Sequence, residues 1–161
     1  MTERTTDGRA NLAPPGEPQP IFLPWDSGRH IDFLAVTHRL TSDQSDGSIS
    51  IFESAFEPGM GNRLHVHSHE DEIAYVLEGA LEVRLRDRTA VLGVGGVGRL
   101  LRRLAHALRN PLKTPSRYLF LAIPGGLDRW FDAWASAQAA GSLDEALFRS
   151  LSDDYGISWL E

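Results

Sequence analysis

Gly59, His65, His67, Glu72 and Gly79 stand in the pattern G-x5-H-x-H-x4-E-x6-G, and His106 and Asn110 follow as H-x3-N. No other feature constrains the chain as much. Side chains on a β-strand alternate between its faces, so two histidines separated by one residue point the same way. If the segment is extended, the imidazoles of His65 and His67 can converge on one ion. Glu72, entering the next strand, and the distant His106 can close the set. Three imidazoles and a carboxylate suit a divalent transition metal. The expected ligands are therefore His65, His67, Glu72 and His106. A carboxylate near a barrel interior can have a raised pKa, which also makes Glu72 the candidate catalytic base.

The surrounding chain reads as strands. Asp32–Leu40 and Ser48–Phe56 flank the polar loop Thr41–Gly47, and Arg63–His67 is a short strand carrying two ligands. Glu72–Leu77 and Ala80–Arg86 are joined at Gly79, which reads as a hairpin turn. Thr89–Leu92, Arg99–Arg109 and Tyr118–Ile123 complete the set. Gly93–Gly98 is a turn and relaxed strand; no Lys-Ser/Thr follows it, so it is not a phosphate loop. Many short strands with glycine and proline turns indicate a sandwich or barrel. Leu127–Ala140 places Leu127, Trp130, Phe131, Trp134 and Ala135 at helical spacing, stopped by Gly141. Ser142-Leu-Asp-Glu145 has the capping-box pattern of a second helix, running to about Ser152.

Composition narrows the chemistry. The chain has 161 residues, enough for one domain with a real core. It contains no cysteine, so a metal must be held by nitrogen and oxygen. Iron, manganese, nickel, cobalt, copper and zinc all fit. The net charge of −6 argues against nonspecific nucleic-acid binding. Between Arg84 and Arg117, however, nine basic residues face one acid, Asp87. These either pair with acids elsewhere or form a basic rim that attracts anionic or phenolic substrates. Residues 1–20 are polar and proline-rich and read as a disordered arm. There is no signal-peptide core and no run of membrane-spanning length, so a cytoplasmic location and no membrane partner are expected.

Gly59–Gly79 resembles the first motif of the cupins at every fixed position. The second motif is half kept: Gly95, His106 and Asn110 are present, but Leu101 and Arg103 stand where proline and glycine are usual. The run Leu64–Gly79, the stretch Ile123–Phe131 and the late Tyr155-Gly156-Ile157 resemble single-domain quercetin 2,3-dioxygenase-like cupins. The resemblance implies a jelly-roll β-barrel over residues 21–125 with a C-terminal helical extension, 126–161, packed on it. It implies one divalent metal at the four ligands named. It also implies, with the apolar lead-in Pro20–Trp25, a homodimer. The leading expectation is a metal-dependent oxygenase acting on an aromatic or enolisable hydroxy-ketone. The alternatives are a non-oxidative cyclase or isomerase and a non-catalytic small-molecule binder.

Other residues carry open readings. His69 is either a solvated loop residue or an alternative ligand. Glu70 and Asp71 read as surface acids at the barrel mouth, and His30 and His38 as ordinary loop and strand residues. Ala74, Val76, Leu104 and Leu108 share the parity of a ligand and are expected to line the cavity with Phe120; Ala74 either widens it or is filled by a neighbour. Arg99, Arg102 and Arg103 are either exposed or place a cation near the pocket. Trp130 and Trp134 are either helix-packing residues or a substrate platform.

Overall fold

The computed structural model describes residues 20–160. The expected disordered arm therefore lies outside the described residues, apart from Pro20. Eleven strands and two helices follow. The strands are β1 (Arg29–Ile31), β2 (Val36–Leu40), β3 (Ser50–Phe56), β4 (His65–His67), β5 (Asp71–Glu78), β6 (Ala80–Leu85), β7 (Thr89–Gly93), β8 (Val97–Leu100), β9 (His106–Arg109), β10 (Ser116–Ile123) and β11 (Ile157–Trp159). The helices α1 (Leu127–Ala139) and α2 (Glu145–Asp154) lie between β10 and β11.

The strands form two antiparallel sheets facing one another, the jelly roll expected. One has the order β1-β2-β3-β10-β5-β8, the other β11-β4-β9-β6-β7. Apolar residues at every second position of β3 and β10 drive this packing. Phe52, Phe56, Tyr118 and Phe120 point inward, and the Phe56 and Tyr118 rings meet edge-on at 5.1 Å. The Tyr118 hydroxyl donates to the Ala80 carbonyl at 2.6 Å, so its one buried polar atom is satisfied.

The hairpin expected at Gly79 is not formed. β5 pairs with β10 and β8, whereas β6 pairs with β7 and β9 in the other sheet. Gly79 is a corner where the chain crosses between sheets. Its φ of 75° is left-handed, and a Cβ there would collide with the Ser116 hydroxyl. The turn chemistry was legible; which strands it joins was not, because pairing is decided at long range.

Two expected strands are shorter than their apolar patterns. Asp32–Leu40 opens with a 3-10 turn at Asp32–Leu34 before β2, and Arg99–Arg109 is broken by a turn between β8 and β9. The second helix is capped by Asp144 rather than Ser142: the Asp144 carboxylate accepts from the Leu147 N–H at 2.7 Å. β11 was not expected as a strand, yet it pairs with β4, placing Trp159 opposite His65.

Helix α1 is fastened to the barrel by Asp128. Its buried carboxylate accepts from the Ser42 N–H, the Ser42 hydroxyl and the Ser50 hydroxyl. This anchor turns Trp130 and Trp134 towards the space between the sheets. Among the described residues no helix is long and apolar enough to cross a membrane.

Candidate metal centre

His65 and His67 project from β4 and His106 from β9, where it sits in register with His65. Glu72 comes from β5 in the opposite sheet. One ligand atom from each of these four buried residues lies within 4.8 Å of all the others. The parity argument thus holds for the H-x-H pair, and the fold supplies the rest by closing two sheets over it.

Their hydrogen bonds define the imidazole tautomers. His65 Nδ1 faces the Arg63 carbonyl at 2.9 Å and His106 Nδ1 faces the Leu104 carbonyl at 3.0 Å. A carbonyl only accepts, so both Nδ1 atoms carry the proton. His67 Nδ1 lies 2.7 Å from the Glu70 carboxylate, which imposes the same tautomer. Every Nε2 is thereby left with its lone pair turned inward. His65 Nε2 and His67 Nε2 are 3.0 Å apart, and His106 Nε2 is 3.2 Å from Glu72 Oε2. Lone pairs at such distances repel unless a proton or cation lies between them. The donor set and its tautomers fit a divalent metal.

The charges follow the same logic. Burial lowers the His65 pKa to about 4, with the charges of His67 and His106 acting the same way. Burial also opposes the charged form of His67, but the Glu70 hydrogen bond and the Glu72 charge outweigh it and raise its pKa. For Glu72, burial acts upward; the His106 hydrogen bond and the charges of His67, His106 and His65 win and hold it at about 2. The raised carboxyl pKa expected of Glu72 is therefore not what this site produces. Three inward-facing imidazoles make it a firmly ionised carboxylate, the form that binds a cation.

Several neighbours differ from their sequence reading. Glu70 and Asp71 are buried, not surface acids. Glu70 orients His67. Asp71 accepts from the Arg102 backbone N–H and guanidinium and from Arg99, which hold its carboxyl well below the usual range. Arg99 and Arg102 are thus committed to Asp71 and place no cation in the cavity. Arg103, standing where the resemblance expects glycine, adopts a glycine-like φ of 65°, and its N–H donates to the His67 carbonyl at 2.7 Å. The turn before His106 is thus built without glycine or proline. Asn110 is fully buried and ties this region together, donating to the Phe56 and Thr114 carbonyls and accepting from the Leu112 N–H and the Ser116 hydroxyl. His69 is exposed and outside the cluster.

The cluster opens onto a cavity of about 160 Å3. Phe52, Phe56, Phe120, Trp130, Trp134 and Trp159 dominate its wall. Leu108 lines it as expected, but Leu104 is exposed, and Ala74 and Val76 are fully buried in the core behind the wall. Trp130 and Trp134 combine both of their readings: they pack on Phe148 of α2 and wall the cavity. The only titratable side chains on the wall, among the described residues, are His65, His67 and Glu72.

Two facing antiparallel sheets with a cluster of three histidines and one glutamate between them form a β-barrel with a site suited to a metal ion. Residues 52–122 match the family model of the cupin domain. Solved structures agree in fold. KdgF from a Halomonas species is 20% identical with a TM-score of 0.55, the match covering 67% of this chain and 98% of that one. A predicted oxalate decarboxylase from Thermotoga maritima is 22% identical with a TM-score of 0.53, covering 55% and 78%. A conserved protein with a double-stranded β-helix domain from Klebsiella pneumoniae is 19% identical with a TM-score of 0.50, covering 56% and 76%. No curated protein sequence matches the chain.

Proposed function

We propose that the chain is a metal-dependent oxygenase acting on an aromatic or enolisable hydroxy-ketone, similar in chemistry to the quercetin 2,3-dioxygenase-like cupins it resembles. The supporting observation is the union of a buried cluster of three histidines and a glutamate with a cavity walled by aromatic rings. No arginine or lysine lines that cavity among the described residues. A dicarboxylate such as oxalate would meet the metal but no side-chain cation for its second carboxylate there, whereas a flat apolar ring system would be well covered. A divalent ion at the cluster would supply Lewis acidity to a deprotonated substrate oxygen. The chain's own residues do the rest. The aromatic wall orients the ring and excludes water, and Glu72, ionised beside His106, serves as ligand and as hydrogen-bond acceptor for a substrate hydroxyl.

The test is elemental analysis of the purified protein beside a His65→Ala/His106→Ala double variant, followed by oxygen uptake with flavonols. About one redox-active metal per chain, lost in the variant, with substrate-dependent oxygen uptake, supports the reading. Stoichiometric zinc with substrate turnover but no oxygen uptake replaces it with a cyclase or isomerase. Absence of metal after reconstitution sinks any metalloenzyme. Glu72→Gln should retain some metal and lose turnover. We also propose a homodimer that covers Ile21, Phe22 and Trp25, which are exposed on this chain. Light scattering of the full chain and of Trp25→Ser checks it, a monomeric mass for the full chain counting against it.

A further inference from the structure

The cavity beside the histidine cluster is small for a ligand of two or more rings. Sites that hold small molecules enclose about 300–1,000 Å3, whereas this cavity encloses about 160 Å3. A groove of about 420 Å3 adjoins it. Gly61, Asn62, Trp134 and Trp159 belong to the walls of both. Gly61 and Asn62 are exposed, so the two spaces meet at the surface edge that leads into β4. The Trp159 ring reaches both, 4.9 Å from the His65 ring and 5.3 Å from the guanidinium carbon of Arg63, which lines the groove.

The groove differs from the cavity in its chemistry. Asn62 and Arg63 border it from the lead-in to β4, and Asp144 and Glu145 from the start of α2, with aromatic rings between them. Arg63 lies across two of those rings, its guanidinium carbon 5.5 Å from the Phe148 centroid and 5.3 Å from that of Trp159. Such stacking orients the guanidinium and leaves its edge N–H groups free to donate. One of them meets Glu145 at 3.3 Å, but Glu145 has a closer partner in Arg149 at 2.9 Å. An exposed ion pair of this kind contributes little and opens readily for a ligand. Asn62 turns its amide oxygen to the Leu108 N–H at 2.7 Å, which leaves its NH2 as the donor. Asp144 uses one carboxylate oxygen on the Leu147 N–H and keeps the other as an acceptor.

Two donors and two acceptors around aromatic rings suit a group that both donates and accepts. A hydroxyl does both. Charge points the same way. One cation beside two carboxylates gives an anion no net attraction, and Arg63 on the groove wall works against a cation. A neutral group carrying several hydroxyls is the chemistry left.

We propose that this groove is the outer half of the ligand site and takes a neutral, polyhydroxylated group, a glycosyl unit or a hydroxylated aryl ring, joined to the ring system held in the cavity. Asn62 and Arg63 donate to its oxygens, and Asp144 and Glu145 accept from its hydroxyls. This inference rests on the aromatic-ligand reading above and adds the chemistry of the part that lies outside the cavity. Arg63 and Glu145 are specificity-determining residues: they touch the outer group and not the atoms that face the histidine cluster.

The test is calorimetric titration of the full chain with two pairs of naphthalene probes, each pair a parent and its hydroxylated counterpart. One pair is 2-methoxynaphthalene and 2-naphthyl β-D-glucoside; the other is 2-phenylnaphthalene and 5-(2-naphthyl)resorcinol. The hydroxylated member is expected to bind about ten-fold tighter than its parent in at least one pair, and the pair that shows it identifies the group as glycosyl or aryl. Arg63→Met keeps the apolar stem and the backbone carbonyl that faces His65; Glu145→Ala removes an acceptor from an exposed position. Each variant should weaken the preferred probe about five-fold and leave the parents unchanged. A sulfonate in place of the two hydroxyls, as in 4-(2-naphthyl)benzenesulfonate, should bind less tightly than the resorcinol. Parents that bind with no preference in either pair would overturn the groove and leave the aromatic reading of the cavity intact. Tightest binding of the sulfonate, or equal loss of every probe in both variants, would also overturn it. Binding of a hydroxylated probe without either parent would support the groove and remove the aromatic reading. No binding by any probe would overturn both. The preferences are read on the wild-type protein and stand even if a variant is poorly folded.

Discussion

Glu70 illustrates how a residue can be decisive and still look ordinary in a sequence. The convergence of the candidate ligands His65 and His67 was legible because parity on a strand is a local property: the two must face the same way once the segment is extended. Glu70 sits in the loop between β4 and β5, next to acids that read as solvated, and only the folded backbone turns it inward to His67 Nδ1 at 2.7 Å. Acceptors behind metal-binding histidines fix ring orientation and raise ligand basicity, and losing one weakens binding by about 10–100-fold. Glu70→Ala should therefore reduce metal affinity by about that factor in chelator competition, with Glu70→Gln in between. Unchanged affinity in both would show that β4 alone orients His67. Arg103 is the opposite case. Its departure from the second motif was visible, but its conformational consequence was not. A non-glycine residue at φ 65° is strained by the approach of its Cβ to the backbone. Arg103→Gly should then stabilise the protein by about 1 kcal/mol in urea unfolding, without changing the metal content.

Elements were legible where local signals decide them and obscure where distant partners do. The first helix, Leu127–Ala139, was readable from apolar spacing and the second, Glu145–Asp154, from a capping-box pattern, but the cap moved by two residues. Both Ser142 and Asp144 carry capping side chains, and the choice depends on where the chain leaves α1. Ser142 is occupied there, its hydroxyl donating to the Ala137 carbonyl at 3.2 Å, which leaves Asp144 to meet the Leu147 N–H. Asp144→Ala should therefore lower stability by about 1 kcal/mol. Ser142→Ala should cost clearly less, a ranking that urea denaturation of the two variants can reverse if the sequence pattern was the better guide. The corner at Gly79 shows the same limit. A glycine between two apolar runs marks a change of direction, and nothing local distinguishes a hairpin from a crossing between sheets. β11 is harder still: three residues after a helix carry little strand signal, and its pairing with β4 is what makes it a strand.

At the scale of the whole molecule, the two sheets meet around buried titratable groups whose charges are set by burial and by one another, so stability is expected to depend on a bound ion and on pH. An ion bound at 100 times its dissociation constant adds about 2.7 kcal/mol, so removing it should lower Tm by about 5–10 °C. The His65→Ala/His106→Ala variant should show no such response to chelator. Acid sensitivity has a further source away from the ligands. His38 is buried between Phe52 and Phe131, its Nε2 has no partner among the described residues, and its Nδ1 is 3.8 Å from Asp132. Burial lowers its pKa, and the partly opposing charges of Asp132 and Asp128 do not restore it. With the folded value below the unfolded 6.5, the unfolded chain binds more protons as pH falls through that range. The stability due to neutral His38 is thus fully present above about pH 6.5 and is lost as pH drops towards the folded value. Asp71 and Glu72 have lowered values, so their contributions are lost only at more acidic pH. In chelated protein, His65 adds to the loss and His67, with its raised value, opposes it. Both remain in His38→Leu, so the difference between the two proteins isolates His38. Between pH 7 and pH 5, roughly the window where only histidines titrate, the wild type should lose more Tm than His38→Leu. Parallel curves would mean that the space between α1 and β2 admits enough water to let His38 charge freely.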